Sequence, residues 1–186
     1  MEHMAEVRLL NQDDAQALWD LRLEALEREP RAFAETPEEH RRLPVGLHFA
    51  TRLGELVPGN FVVGAFREGA LAGMAGFRRS GYAKTHHKGS IWGVYLKSAA
   101  RGKGLATKML QALLDRASGL EGLTCVTLTV AEDNLKAIEL YRRLGFREYG
   151  RDPCALRVDG VCVPELLMRR ADDRVLSHAK PLPIAE

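Results

Sequence analysis

The residues best suited to chemistry lie in one stretch, Val94-Tyr95-Leu96-Lys97-Ser98-Ala99-Ala100-Arg101-Gly102-Lys103-Gly104-Leu105-Ala106. An apolar strand runs into a tight turn, and the turn into a helix with small residues at its first positions. Helix N-termini leave backbone N–H groups without intrahelical partners and carry partial positive charge, so they attract phosphate. Gly102 and Gly104 have no side chain and Ala106 a small one, which lets a diphosphate approach those amides closely. Arg101 and Lys103 bring positive charge to the same turn. Taken alone, a Gly-x-Gly turn fits an ordinary helix start equally well.

Asn134 and Tyr141 form a second pair. Seven residues are close to two helical turns, so both fall on one helix face about 10 Å apart. Asn134 suits an N-cap, and Tyr141 alone would read as a core aromatic. The helix ends in Leu144-Gly145-Phe146.

Together these segments resemble the GNAT superfamily of acyl-CoA-dependent N-acetyltransferases. The family's diphosphate loop reads Arg/Gln-x-x-Gly-x-Gly/Ala, and Arg101-Gly-Lys-Gly-Leu-Ala106 fits each defined position. Asn134, Ala137, Tyr141 and the Leu-Gly-Phe ending follow at the family's distance, and the likeness covers residues 6–170. It implies acetyl-CoA as co-substrate, an amine acceptor and direct transfer without a covalent enzyme intermediate. Backbone groups of Val94 and Leu96 would hold the pantetheine arm as an added strand. An N–H there would polarise the thioester carbonyl. Arg101 to Ala106, Leu105 included, would hold the diphosphate, and Asn134 would touch the cofactor. Tyr141 would protonate the departing thiolate: a phenol of pKa about 10 is well matched to a thiol of pKa about 9.

The general base is not legible. Some family members carry a glutamate on the fifth strand, where this chain has Thr129. Glu132 and Asp133 belong to the following helix start, and His86 and His87 to a polar loop. Phe33, Glu38 and Glu39, with His40, fall in the loop after the first helix and are expected to shape the acceptor site.

These groups need a scaffold to position them. Leu18, Leu21 and Ala25 form one apolar ridge, and Trp19, Leu23 and Leu26 another, so residues 12–28 should be helical behind an Asn11 cap. Prolines 30, 37 and 44 leave 30–45 a loop with short helical pieces, and a helix is expected through 46–56. Phe61–Phe66 and Leu71–Phe77 read as a hairpin, and 90–96 as a strand with a bulge at Gly93. A helix from 101 to Gly119, a strand at 125–130, a helix from Asn134 to Gly145, and strands at 146–149 and 161–168 complete the domain. Cys125 is expected in the core, on the opposite side of its strand from Thr129. The expected fold is α+β: a three-layer GNAT-like domain over 1–170, its mixed, mostly antiparallel sheet of six or seven strands carrying helices on both faces. Residues 171–186 form an aperiodic tail.

Composition fits a globular enzyme, with 46% hydrophobic and 28% charged residues among 186. A net charge of +2 is too small to indicate nucleic acid as a partner. No apolar run reaches the eighteen residues or more of a membrane span, and the N-terminus turns polar too early for a signal peptide. Three cysteines without a C-x-x-C pair argue against a disulfide framework and against zinc, and suit a reducing cytoplasm. Cys154 and Cys162 could meet only across a hairpin. No metal-ligand spacing or nucleophile elbow is present. A homodimer, a protein N-terminal or lysine acetyltransferase, a non-catalytic acyl-CoA binder, and an enzyme acting on charged tRNA remain open.

Overall fold

The computed structural model describes residues 5–47 and 59–171. Most of the helix expected through 46–56, and the tail beyond Ala171, lie outside the described residues. One seven-stranded sheet runs in the order β1-β2-β3-β4-β5-β7-β6. Its strands are β1 (Ala5–Leu9), β2 (Phe61–Arg67), β3 (Ala70–Arg79), β4 (Lys88–Leu96), β5 (Cys125–Ala131), β6 (Arg147–Val158) and β7 (Val161–Ala171). All neighbours are antiparallel except β4 and β5. That parallel step needs a crossover, which the helix α3 (Leu105–Ser118) supplies.

Among the described residues, the other complete α-helices are α1 (Ala15–Arg28), α2 (Pro37–Arg41) and α4 (Leu135–Arg143). Met109, Leu110 and Leu113 of α3, with Ile138 and Tyr141 of α4, bury one face of the sheet against Phe77, Leu128 and Met168. Leu18, Leu21 and Ala25 of α1 bury the other face against Val62, Met74 and Tyr95. The apolar spacing of each helix therefore assigns it to a side.

The entry to α1 is a one-turn 3-10 segment, Gln12–Asp14. Asn11 accepts from the Asp13 N–H at 2.9 Å, and Asp14 accepts from the Asn11 N–H at 2.9 Å. Arg8 donates to both Asp14 oxygens at 2.7 and 2.8 Å and holds that carboxyl below the usual carboxylate range, burial opposing. A depressed folded value contributes its full stability above the unfolded pKa of about 3.9, and that contribution is lost as pH falls from there through the folded value. Asp14→Asn is therefore expected to lower the melting temperature at pH 7, with the difference from wild type closing on acidification; a gap unchanged down to pH 3 would remove Arg8–Asp14 as its cause.

Two expectations are corrected at the C-terminal hairpin. Strand β6 extends to Val158 instead of ending at Tyr149, continuing through Pro153. Its register with β7 jumps between Asp152 and Leu156, so Pro153 sits in a bulge where no ladder N–H is required. Cys154 and Cys162 form a disulfide across this hairpin. Cys125 is a free thiol, only partly buried, and lies on the same side of β5 as Thr129 because their spacing of four residues is even in a period of two.

Candidate active site

The site begins with a fault in β4. Gly93 takes φ +63, and the pairing passes from Gly76↔Trp92 to Met74↔Tyr95, so β4 carries one extra residue. Side-chain direction flips across it. Ile91, Val94 and Leu96 face the α3 side, while Trp92 and Tyr95 face α1. The pairing of β4 with β5 stops at Ser90↔Thr127, and beyond it the strands separate around a cleft of about 1080 Å³. The Lys97 N–H bonds the Ala72 carbonyl at 2.8 Å, so strand alternation turns the Leu96 amide toward the cleft. Val94 and Leu96 both line it, as expected for an edge that accepts an extended arm.

Beyond β4 a 3-10 turn, Ser98–Ala100, leads to Gly102 (φ +81) and to Gly104 (φ +73), the N-cap of α3. No side chain caps this helix. A Cβ built on either glycine would meet nothing within 4 Å, so the amides at the start of α3 open onto free space. Gly102, Gly104, Leu105 and Ala106 line the cleft, and Lys103 does not. Arg101 has a different role from a free charge. Its Nε donates to the Leu96 carbonyl at 2.8 Å and its Nη2 to Glu29 at 2.9 Å, which ties the turn to the end of α1. Arg101 still lines the cleft, as do Lys136 and Arg143 of α4. An open amide cradle with cations beside it fits the diphosphate of coenzyme A.

Asn134 caps α4, its Oδ1 accepting from the Ala137 N–H at 3.2 Å. Tyr141 follows two turns on, 6% exposed, edge-on to Phe146 with ring centroids 6.0 Å apart. Both line the cleft, and the Tyr141 hydroxyl bonds no described residue. Burial pushes the Tyr141 phenol well above its ordinary value. It therefore stays protonated at working pH, a donor that is weaker than a free phenol.

Across the sheet, Phe33 lines the cleft beneath the Arg22 guanidinium, which lies 4.5 Å from the ring centroid. Arg22 is 5% exposed and donates through Nε and Nη2 to Glu35, both at 3.1 Å. Glu35 also faces His40, which is fully buried and sits 3.0 Å from the Trp19 carbonyl. Glu38 and Glu39 do not line the cleft. Glu39 closes a capping box with Thr36, whose backbone N–H lowers its pKa first, and Glu38 lies 3.6 Å from Arg41. Replacing both with Gln is expected to leave the acceptor KM unchanged; a severalfold rise in steady-state KM would return them to the site. His86 and His87 are likewise outside, around a small pocket beside Arg79.

Sequence reasoning missed Arg22, Glu35, Arg78, Trp92 and Glu165, all of which line the cleft. Only Glu165 left a signal, as the single charged residue in the apolar run Val161–Met168.

A splayed parallel pair, a bulged strand and an open helix N-terminus define a site for transfer from an acyl-CoA thioester. Residues 16–146 match the acetyltransferase (GNAT) family model, and the chain belongs to that family. It is an acetyl-CoA-dependent N-acetyltransferase. It is 28% identical over 151 residues to the spermine/spermidine N(1)-acetyltransferase of Bacillus subtilis, covering 77% of this chain and 88% of that one. It is 35% identical over 103 residues to the N-alpha-acetyltransferase RimI of Mycobacterium tuberculosis, covering 55% and 62%. A putative acetyltransferase from Salmonella typhimurium, solved with acetyl-CoA, superposes with a TM-score of 0.79 at 22% identity, covering 96% of this chain and 98% of that one. No helix among the described residues is long and apolar enough to cross a membrane, and no described cluster of His, Cys, Asp or Glu could hold a metal ion.

Proposed function

We propose that the protein acetylates a small primary amine in the cytoplasm, as a monomer or homodimer. The observation that carries this reading is the roof over the acceptor side. The turn Pro30–Ala32 folds back onto β5 and β6, and Arg31 pairs with Asp133 at 2.9 Å, next in sequence to the lining residues Ala32 and Asn134. A roofed cleft suits a compact acceptor better than a protein chain. A polycation such as the spermine of the Bacillus relative is a poorer match. Of the described carboxylates lining the cleft, Glu35 is engaged by Arg22 and Glu29 by Arg101, which leaves Glu165 alone without an ion pair, while the Arg78 cation has no counter-ion among the described residues.

Acetyl-CoA supplies the activated acyl group when bound. The chain's own part is to hold the diphosphate on the α3 amides, lay the pantetheine arm along Val94 and Leu96, and keep a proton on Tyr141 beside the sulfur. Measuring CoA release against small monoamines, polyamines and peptides with free N-termini tests this. Turnover should be fastest with a monoamine. Faster turnover of a peptide would replace this reading with N-terminal acetylation, and no release with any acceptor would leave an acyl-CoA binder.

A further inference from the structure

An amine acceptor arrives at neutral pH as an ammonium ion and cannot attack until its proton has somewhere to go. Among the described residues, three carboxylates line the cleft, and two are neutralised: Glu29 by Arg101 at 2.9 Å and Glu35 by Arg22 at 3.1 Å. No described histidine lines it. The third is Glu165, half-buried on β7, with no hydrogen bond or ion pair among the described residues.

We propose that Glu165 is the general base that takes the proton from the acceptor amine. Its place follows from the register. Leu166 and Met168 are buried on the α3 side, so Glu165 projects to the opposite face, toward the acceptor. Thr129 points the same way, since Leu128 and Val130 are buried on the α3 side. Thr129 pairs with Leu167 and Ala131 with Glu165, which makes Thr129 and Glu165 diagonal neighbours about 7–8 Å apart at Cα. The Glu165 partner on the intervening strand, Ala131, carries only a methyl group. Carrying the parallel register upward from Ser90↔Thr127 sets Ala131 level with the bulge at Val94 and Tyr95. Glu165 therefore stands opposite the backbone that would hold the thioester, across the cleft that Tyr141 also lines. A glutamate there reaches the acceptor nitrogen directly or through one water.

The surrounding charges are engaged elsewhere. Asp152, its partner on β6, accepts the Cys154 N–H at 2.9 Å. Arg151 is bound by Glu132, and Arg31 by Asp133. Glu165 first takes the ammonium proton, which frees the nitrogen lone pair, and releases it to solvent. The lone pair then forms the N–C bond to the acetyl carbon, and the C–S bond breaks with its electron pair on sulfur. Glu165 takes the second proton that nitrogen sheds as the amide forms and returns it to solvent, and the sulfur is protonated by Tyr141, which regains its proton from solvent.

This inference rests on the N-acetyltransferase reading, and the test separates the two. In Glu165→Gln, kcat and kcat/KM should both fall by about 10²–10⁴-fold. The deficit should narrow as pH rises toward the acceptor's own pKa, where solvent takes the proton. Acetyl-CoA affinity by calorimetry and the melting temperature should match wild type, and Glu165→Ala should regain turnover with added formate. Wild-type kcat in the Gln variant, a KM rise at unchanged kcat, or a deficit that formate and pH both leave untouched would overturn the proposal. A wild-type protein that acetylates no amine would instead overturn the reading on which it rests.

Discussion

Tyr141→Phe is expected to lower kcat by about 10²–10⁴-fold, roughly 3–5 kcal/mol of barrier, while leaving the fold intact. The ring and its edge-on contact with Phe146 survive the change. The hydroxyl bonds no described residue, so its removal leaves no new unsatisfied partner in the protein. Its function would lie at the sulfur. A thiolate leaves more readily when a proton meets it, and burial keeps that proton on Tyr141. The raised pKa has a further consequence. Tyr141 cannot produce the falling alkaline limb of a pH–rate profile near pH 10, where an ordinary tyrosine would. The loss should appear equally in kcat and kcat/KM, as for an interaction made chiefly in the transition state. Single-turnover rates at saturating acetyl-CoA check this. A decrease of less than about threefold would mean that water protonates the sulfur, and Tyr141 would then be a packing residue only.

Gly104→Val should weaken acetyl-CoA binding by about 10–10⁴-fold, equivalent to losing one or two charge-assisted hydrogen bonds of about 1.5–3 kcal/mol each. A Cβ there has no neighbour among the described residues within 4 Å. It projects into the space from which a diphosphate must approach the α3 amides. Positive φ adds strain for any L side chain, worst when β-branched, so some stability is lost as well. Gly160→Val is the control. Gly160 has φ +79 in the β6–β7 turn, and its Cβ would also meet nothing, so it carries the same strain away from the cleft. Calorimetry should find acetyl-CoA affinity lost in the Gly104 variant and retained in the Gly160 variant. Equal affinities would take the diphosphate away from this turn.

What the chain order alone determined is local chemistry. The Gly-x-Gly turn, the Asn134 cap, the Asn11 cap and the Gly93 bulge each depend on conformational preferences or hydrogen bonds reaching only a few residues, and all are present at the positions read from sequence. Hydrophobic period assigned the helices and most strands for the same reason. The acceptor side required the tertiary structure. Arg22 and Glu35 lie thirteen residues apart, yet their ion pair depends on how α1 meets the loop that follows it. Arg101 reads as a phosphate ligand in sequence, but its guanidinium is claimed by Glu29, 72 residues away. Glu38 and Glu39 read as binding groups because spacing cannot tell a capping carboxylate from a free one. Glu165 enters the cleft only because β7 inserts between β5 and β6 in the sheet order. Periodicity fixes which residues share a strand face; which strands lie side by side is settled by burial of the whole sheet between its two helical layers, and that choice brings Glu165 to the site.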